Sequence, residues 1–351
     1  MSEPSDGRPL TYAGAGVSID AQDRALAEIK RLARATFTPG VLSEIGSFGG
    51  LFALEPDNPS GTVLVASADG VGTKLRVAQM AGVHDTVGED LVNHCVNDIL
   101  VEGARPLFFL DYLATGRLEP GVAARVVEGI ARACRGNGCA LLGGETAEMP
   151  GFYPPGAYDL AGFIVGACRR DRLLRREEVR PGDALVALPS TGLHTNGYSL
   201  ARKIFFEVLG LRPDSELPGL GRTVAEVLLA VHRSYLAAVS PLLDGGLVRS
   251  AAHITGGGIP DNLPRALSAG VAAEIFLDSW DEPPLFRLIR EKGRVPEDDM
   301  RRTFNLGVGI VLVVAEEHTG EVLERLVPHG PGWVIGRAVQ GSGVHFLEHR
   351  G

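Results

Sequence analysis

The sequence predicts two domains of the α/β or α+β class, and three observations predict it. Strand-like and helix-like segments alternate through both halves of the chain. The 351 residues are 45% hydrophobic and 22% charged. That length suits two cores, each drawn from about 150–200 residues. Between the halves lies a charged stretch, CRRDRLLRREEVRPGDA, which ends in a Pro-Gly-Asp turn and places the boundary near Arg170.

Residues 1–20 are polar and Gly/Ala-rich without a period, and predict a flexible arm. From Asp23 to Ala35 the apolar residues Ala25, Leu26, Ile29, Leu32 and Ala33 recur at helical spacing. TVLVASAD reads as a buried strand, Leu75–Ala81 and Thr86–Gly103 as helices, and PLFFLDYLAT as a second strand. Val122–Cys134 is helical, CALLGGET is a short strand entering a glycine turn, and AGFIVGAC closes the half as a strand. The second half restarts with the strand ALVALPS, the loop STGLHTNG and a helix from Tyr198. HITGGGIPDNLPRAL repeats strand, glycine loop and helix, and FNLGVGIVLVV and WVIGRAV are further strands.

A formal net charge of -9 argues against generic nucleic-acid binding, which relies on basic patches. Positive potential for an anionic metabolite must therefore be local. No segment reaches the ~18 consecutive apolar residues of a membrane span, and MSEPSDGRPL lacks a basic region leading into an apolar core. The expected compartment is the cytoplasm. Cys95, Cys134, Cys139 and Cys168 match no zinc spacing and read as reduced, mostly buried thiols.

The chain uses Arg wherever a solvated cation suffices: only Lys30, Lys74, Lys203 and Lys292 are lysine among 34 Lys and Arg residues. Lys74 ends the loop Asp69-Gly70-Val71-Gly72-Thr73-Lys74. This is neither a P-loop, because Thr precedes Lys, nor a dinucleotide fingerprint, because Leu75 takes the third glycine's place. Glycines still let backbone amides approach an anion, and the helix that follows offers its N-terminus. Phosphate binding by Asp69, Gly70, Gly72, Thr73 and Lys74 is the expectation.

In VNHCVNDIL, Asn93 and Asn97 share a helix face beside Asp98, whereas the adjacent His94 and Cys95 project in different directions. In LLGGETAEMPG, Gly143 and Gly144 precede Glu145 at a strand's carboxyl end. Asp69, Asp98 and Glu145 thus sit near three element ends, and hard oxygen ligands of this kind suit Mg²⁺ carried by substrate phosphates. His194, in a loop of Thr, Asn and Gly, is a general acid/base, a phosphate clamp or a loop cap. The triple glycine of TGGGIPDNLP is either a second phosphate site or a packing turn.

Taken in order, YAGAGVSID, SADGVGTKLRVA, CVNDILVEGARPLFFLDYLATG, LLGGETAEMPGFY, GLHTNGYSLARK, HITGGGIPDNLPR and FNLGVGIVLVV resemble the phosphoribosylformylglycinamidine cyclo-ligase (aminoimidazole ribonucleotide synthetase) family over nearly the whole chain. The resemblance implies a two-domain cyclo-ligase-like fold. Its parts are an arm over residues 1–20, an N-terminal α/β domain for ATP binding and dimerisation over 21–170, and a C-terminal α+β domain over 171–351. The N-terminal domain would pair with its twin in a barrel-like homodimer interface. It also implies ATP-dependent ring closure of formylglycinamidine ribonucleotide, with ATP and Mg²⁺ as cofactors. Asp69, Gly70, Gly72, Thr73, Lys74, Asn93, Asn97, Gly143 and Gly144 would contact the nucleotide. Asp69, Asp98 and Glu145 would hold metal, and His194, Lys74 and Asp98 would act in catalysis, with a protonated His194 stabilising the migrating phosphoryl group. The family usually has an acid where this chain has Ser18, while Asp20 keeps its acid.

Rival readings in the same superfamily fit less well. A selenophosphate synthetase carries a reactive residue in its arm, whereas the first cysteine here is Cys95. A hydrogenase-maturation relative ends in cysteine, whereas this chain ends HFLEHRG. A non-catalytic nucleotide-binding regulator is expected to have lost the loop lysine or some of the acids, and all are present.

Overall fold

The computed structural model describes residues 9–16 and 19–348. Residues 1–8, 17 and 18 of the predicted arm, Ser18 included, lie outside them. The described arm residues rest on the second half: Lys203 Nζ donates to the Gly14 carbonyl at 2.8 Å and the Leu10 amide donates to Gly293 at 3.2 Å.

Two sheets organise the chain. The first half runs α1 (Ile19–Arg34), β1 (Gly50–Ala53), β2 (Thr62–Gly70), α2 (Lys74–Ala81), α3 (Asp85–Leu100), β3 (Arg105–Thr115), α4 (Pro120–Gly136), β4 (Ala140–Glu148) and β5 (Tyr158–Arg169). Its five strands take the order β1-β2-β5-β3-β4. The second half supplies β6 (Ala184–Pro189), α5 (Tyr198–Arg202), α6 (Val224–Leu228), α7 (Leu236–Asp244), β7 (Ser250–His253), α8 (Gly258–Asn262) and β8 (Val271–Phe276). It continues with α9 (Pro284–Gly293), α10 (Glu297–Thr303), β9 (Val308–Val314), α11 (Thr319–Leu326), β10 (Trp333–Gln340) and β11 (Val344–Leu347). Its six strands take the order β11-β8-β10-β6-β9-β7.

Strand periodicity explains the two sheets. β9 is buried at every position, as its unbroken VGIVLVV run requires, because apolar clusters cover both faces of the second sheet. In β2, by contrast, Val63, Val65 and Ser67 are buried beneath α3, while Leu64, Ala66 and Ala68 face the other way. The register puts Phe52, Phe163 and Tyr112 on that second face, each more than 40% exposed. One face of the first sheet is thus apolar and uncovered within the chain.

α3 is the central element. Leu91, Cys95 and Ile99 pack towards the first sheet, and Gly129 of α4 lets the two helices touch backbone to backbone, since a Cβ there would overlap the Asp85 carbonyl. Beside these apolar positions, α3 presents a polar stripe of Asp90, Asn93, His94, Asn97 and Asp98, spaced at helical repeats. That stripe is buried too, because the second half closes over it.

One element departs from expectation. CALLGGET does not enter a glycine turn: Gly143 and Gly144 lie inside β4, paired with Leu110 and Asp111 of β3. Gly144 is small because a Cβ there would collide with the Asp111 backbone, so this glycine serves strand packing.

Candidate active site between the two halves

The glycine loop does what its sequence suggests only in part. Gly72, at φ 68°, and Thr73 are exposed at the N-terminus of the eight-residue α2, with open space where a Cβ on Gly72 would point. Asp69 ends β2 with its side chain 40% exposed, and one carboxylate oxygen accepts the Gly70 amide at 2.6 Å. The exposed Gly72 and Thr73 are placed to meet a phosphate. Lys74 is not.

Lys74 is fully buried. Its ammonium pairs with Asp90 at 2.8 Å and donates to the Ala230 carbonyl at 2.8 Å and the His194 carbonyl at 3.2 Å. Two hydrogen bonds and one ion pair surround the ammonium, a match for a compact point charge that a planar guanidinium cannot make in the same slot. Burial pushes the ammonium below its ordinary pKa, and the Asp90 carboxylate opposes that shift. The expected phosphate contact of Lys74 is therefore corrected: this residue ties the first half to the second.

Asn93 and Asn97 are corrected in the same way. Asn93 donates to the His232 carbonyl at 2.8 Å and accepts from Asn137 at 2.8 Å. Asn97 donates to the Arg233 carbonyl at 2.8 Å and accepts the Tyr235 amide at 2.9 Å. Their amides grip the backbone of 232–235, which leaves them no face for a nucleotide.

Asp69 and Asp98 do converge, but on a histidine. His94 Nε2 lies 2.7 Å from Asp69 and 3.7 Å from Asp98, and its Nδ1 lies 2.8 Å from the Thr195 hydroxyl. Burial opposes charge on this ring, yet the two carboxylates outweigh it and lift its pKa to about 9. An imidazolium thus occupies the place between the two acids. Asp98 also accepts from Ser67 at 3.1 Å and from His253 Nδ1 at 2.8 Å. Glu145 stands apart. It pairs with Tyr112 on the open face of the sheet, opposite to the face of Asp69, with two strands between β2 and β4. The three carboxylates are therefore not brought together within one chain, because Glu145 stands on the opposite face of the sheet from Asp69.

His194 is 1% exposed and adopts φ 60°, a left-handed conformation rare outside glycine. Its ring stacks on His232 at 3.9 Å, and its Nε2 accepts the Thr191 amide at 3.1 Å. Burial, with His253 and Lys74 nearby, holds its pKa well below the usual histidine value. The expected protonated, charge-stabilising His194 is corrected to a neutral ring. The triple glycine resolves as a packing turn: Asn262 donates to the carbonyls of Gly256 and Gly258, and Gly258 lies against the Arg301 backbone.

A cavity of about 660 Å³ opens at the junction of the halves. Lys30, Arg170, Arg175, Arg176 and Arg265 line it, against Glu44, Glu102 and Glu177. The Arg265 guanidinium lies 5.0 Å over the Phe48 ring, and Glu102 accepts the Phe48 amide at 3.1 Å and the Gly49 amide at 3.4 Å. Sequence reading passed over these residues and over His232 and His253. Arg265 in NLPRAL and His253 opening HITGGG were visible signals, but nothing in their spacing brings them to α3.

Burial raises the Glu102 pKa to about 7, against two backbone bonds that lower it. The folded state therefore holds a proton that the unfolded state releases above about 4.5, so stability falls as pH rises from about 4.5 to 7. Glu102→Gln keeps both acceptor bonds and removes the penalty. It is expected to gain on the order of 2 kcal/mol at pH 8 and nothing at pH 4, read from urea unfolding at the two pH values. An equal shift at both would show that the carboxyl titrates normally.

Residues 50–168 match the family model described as AIR synthase related protein, N-terminal domain, and residues 180–347 match its C-terminal domain. A phosphoribosylformylglycinamidine cyclo-ligase of Geobacter sulfurreducens is 54% identical over 91% of this chain and 92% of its own. One of Sorangium cellulosum is 50% identical over 97% and 98%. The chain belongs to the phosphoribosylformylglycinamidine cyclo-ligase family. Solved structures show the same fold at low identity. A thiamine-monophosphate kinase from Stenotrophomonas maltophilia superposes with a TM-score of 0.61 at 19% identity, covering 93% of this chain and 97% of its own. A chain of a HypE–HypF complex gives 0.66 at 16%, covering 93% and 97%. In this cyclo-ligase family member, the glycine loop, the cavity and the His–Asp cluster all lie where the two halves meet.

Proposed function

We propose that this chain closes an imidazole ring, converting formylglycinamidine ribonucleotide to 5-aminoimidazole ribonucleotide while ATP becomes ADP and phosphate. The identity of about half of all residues to cyclo-ligases over nearly the full length of both chains carries this reading. The amide oxygen of the formyl group is a poor leaving group. Its attack on the γ-phosphorus releases ADP and leaves an iminophosphate. The amidine-side nitrogen then attacks that carbon, phosphate departs with the oxygen, and the nitrogen loses its proton. Catalysis of such steps is mainly positioning and charge neutralisation.

In this reading the exposed amides of Gly72 and Thr73 and the N-terminus of α2 face the ATP phosphates, beside Asp69. Mg²⁺ enters as the companion of those phosphates. The substrate's 5′-phosphate takes the basic cavity, where Arg265, Arg176 and Lys30 supply the local positive potential that a chain of net charge -9 otherwise lacks. The nucleotide-binding part is residues 21–170, and residues 171–351 complete the cleft. The direct test is ADP release from ATP measured with and without formylglycinamidine ribonucleotide, alongside formation of the aminoimidazole product. ATP binding with no substrate-dependent turnover would favour the regulator reading.

Among the described residues no helix is long and apolar enough to cross a membrane, and the proposed compartment is the cytoplasm. The uncovered face of the first sheet, with Phe52, Phe163 and Tyr112, is proposed to pair with a second copy. Sedimentation is expected to show a species of about twice the 37.1 kDa chain mass at micromolar concentration, and a stable monomer would count against it. Phe163→Glu should shift that equilibrium towards the monomer.

A further inference from the structure

Beneath the proposed nucleotide loop lies a nitrogen cluster that the ring-closure reading does not use. His253 Nδ1 lies 2.8 Å from Asp98, so it carries the proton and leaves Nε2 as a bare lone pair. That lone pair faces His232 Nε2 at 3.0 Å. The Asn97 amide nitrogen, which can only donate, lies 3.3 Å from the same His232 Nε2. A proton on His232 Nε2 serves His253 but opposes Asn97. Without it, Asn97 is served and two lone pairs face each other. With one proton on each ring, no placement of the His232 proton satisfies all three nitrogens. A short distance away, His194 Nδ1 is buried with no hydrogen-bond partner.

We propose that His194, His232 and His253 form a binding site for a borderline divalent transition-metal ion of the Zn²⁺ class. Ligand atoms of the three lie within 4.8 Å of one another and all three residues are buried. The 3.0 Å between His232 and His253 is close to the roughly 3.3 Å edge of a tetrahedron with Zn–N bonds of about 2.0–2.1 Å. His194 reaches the third corner by turning its ring out of the stack on His232 and giving up the Thr191 bond, with its remaining nitrogen keeping the proton. Three neutral imidazoles are a donor set for zinc or cobalt and a poor one for Mg²⁺. Asp98, held by Ser67, orients His253 through its Nδ1–H, the carboxylate–histidine arrangement that supports metal-bound imidazoles. The neighbouring group of His94, Asp98 and His253 is not the site, because the His94 imidazolium already fills the space between Asp69 and Asp98. An ion at the proposed site cross-links three separate segments: the 190–197 loop, the 229–235 segment and the end of β7.

The probe is Co²⁺, titrated into the untagged, chelator-treated full-length protein. The expected result is one equivalent bound, with the intense visible ligand-field bands of a four-coordinate cobalt–imidazole centre, bleached by Zn²⁺. His232→Gln and His253→Gln should each weaken Co²⁺ binding by at least about tenfold, while His345→Ala on the surface leaves it unchanged. Absence of bands in the folded wild-type protein overturns the proposal, whatever the variants do. So do bands that persist unchanged in folded His232→Gln and His253→Gln proteins. Equilibrium dialysis of the wild type with Zn²⁺ gives a reading independent of the variants: well under one equivalent retained at micromolar free metal overturns the site.

Discussion

Lys74→Ala is expected to destabilise the protein by about 3–5 kcal/mol, the cost typical of breaking a buried pair from one side. The substitution leaves Asp90 fully buried with its charge unpaired, and it strands the carbonyls of His194 and Ala230 without their donor. Lys74→Arg should not rescue, because a planar fork does not fit a slot shaped for a compact ammonium. Lys74→Met combined with Asp90→Leu should recover a large part of the loss, since removing both charges removes the desolvation penalty as well. Urea unfolding at pH 7 measures all three. A loss under about 1 kcal/mol for Lys74→Ala would place the ammonium in solvent, against the fold described. The ATP affinity of the folded fraction is a separate reading. If Lys74 stays in its slot during turnover, that affinity changes little, and a large change would return Lys74 to the phosphates.

Arg265→Ala should raise KM for formylglycinamidine ribonucleotide by about 10- to 100-fold, the range for losing a hydrogen bond to a charged group. The guanidinium lies over Phe48 in a cavity lined by four other cations, the place proposed for the substrate's 5′-phosphate. A phosphate held equally in ground and transition states is uniform binding, so kcat should stay close to the wild-type value and KM for ATP should not move. A fall in kcat with KM unchanged would put Arg265 in the chemistry. A rise in KM for ATP instead would assign the cavity to the other nucleotide.

Both predictions concern residues that a motif search treats unequally. Lys74 stood out in the sequence because lysine is scarce and the loop is glycine-rich. What it touches was read wrongly. A side chain at the first position of α2 can turn out to solvent or inward, and local spacing is the same for both. Asp90 decides it, from one helix away. Arg265 sat in a quoted motif without drawing notice, because a single Arg after a glycine turn carries no periodic signal.

The sequence by itself determined the alternation of strands and helices, the buried β9 and the family, because each rests on local period or on ordered motifs. It also showed that Asn93 and Asn97 share a face of one helix beside Asp98. Only the tertiary structure decided what covers that face. His94 meets Asp69 from β2, Asp98 meets His253 from a position 155 residues later, and Lys74 meets carbonyls 120 and 156 residues away. Helical period fixes which side chains share a face. The partner of that face is chosen when the two halves close on each other and every buried donor and charge must find its match.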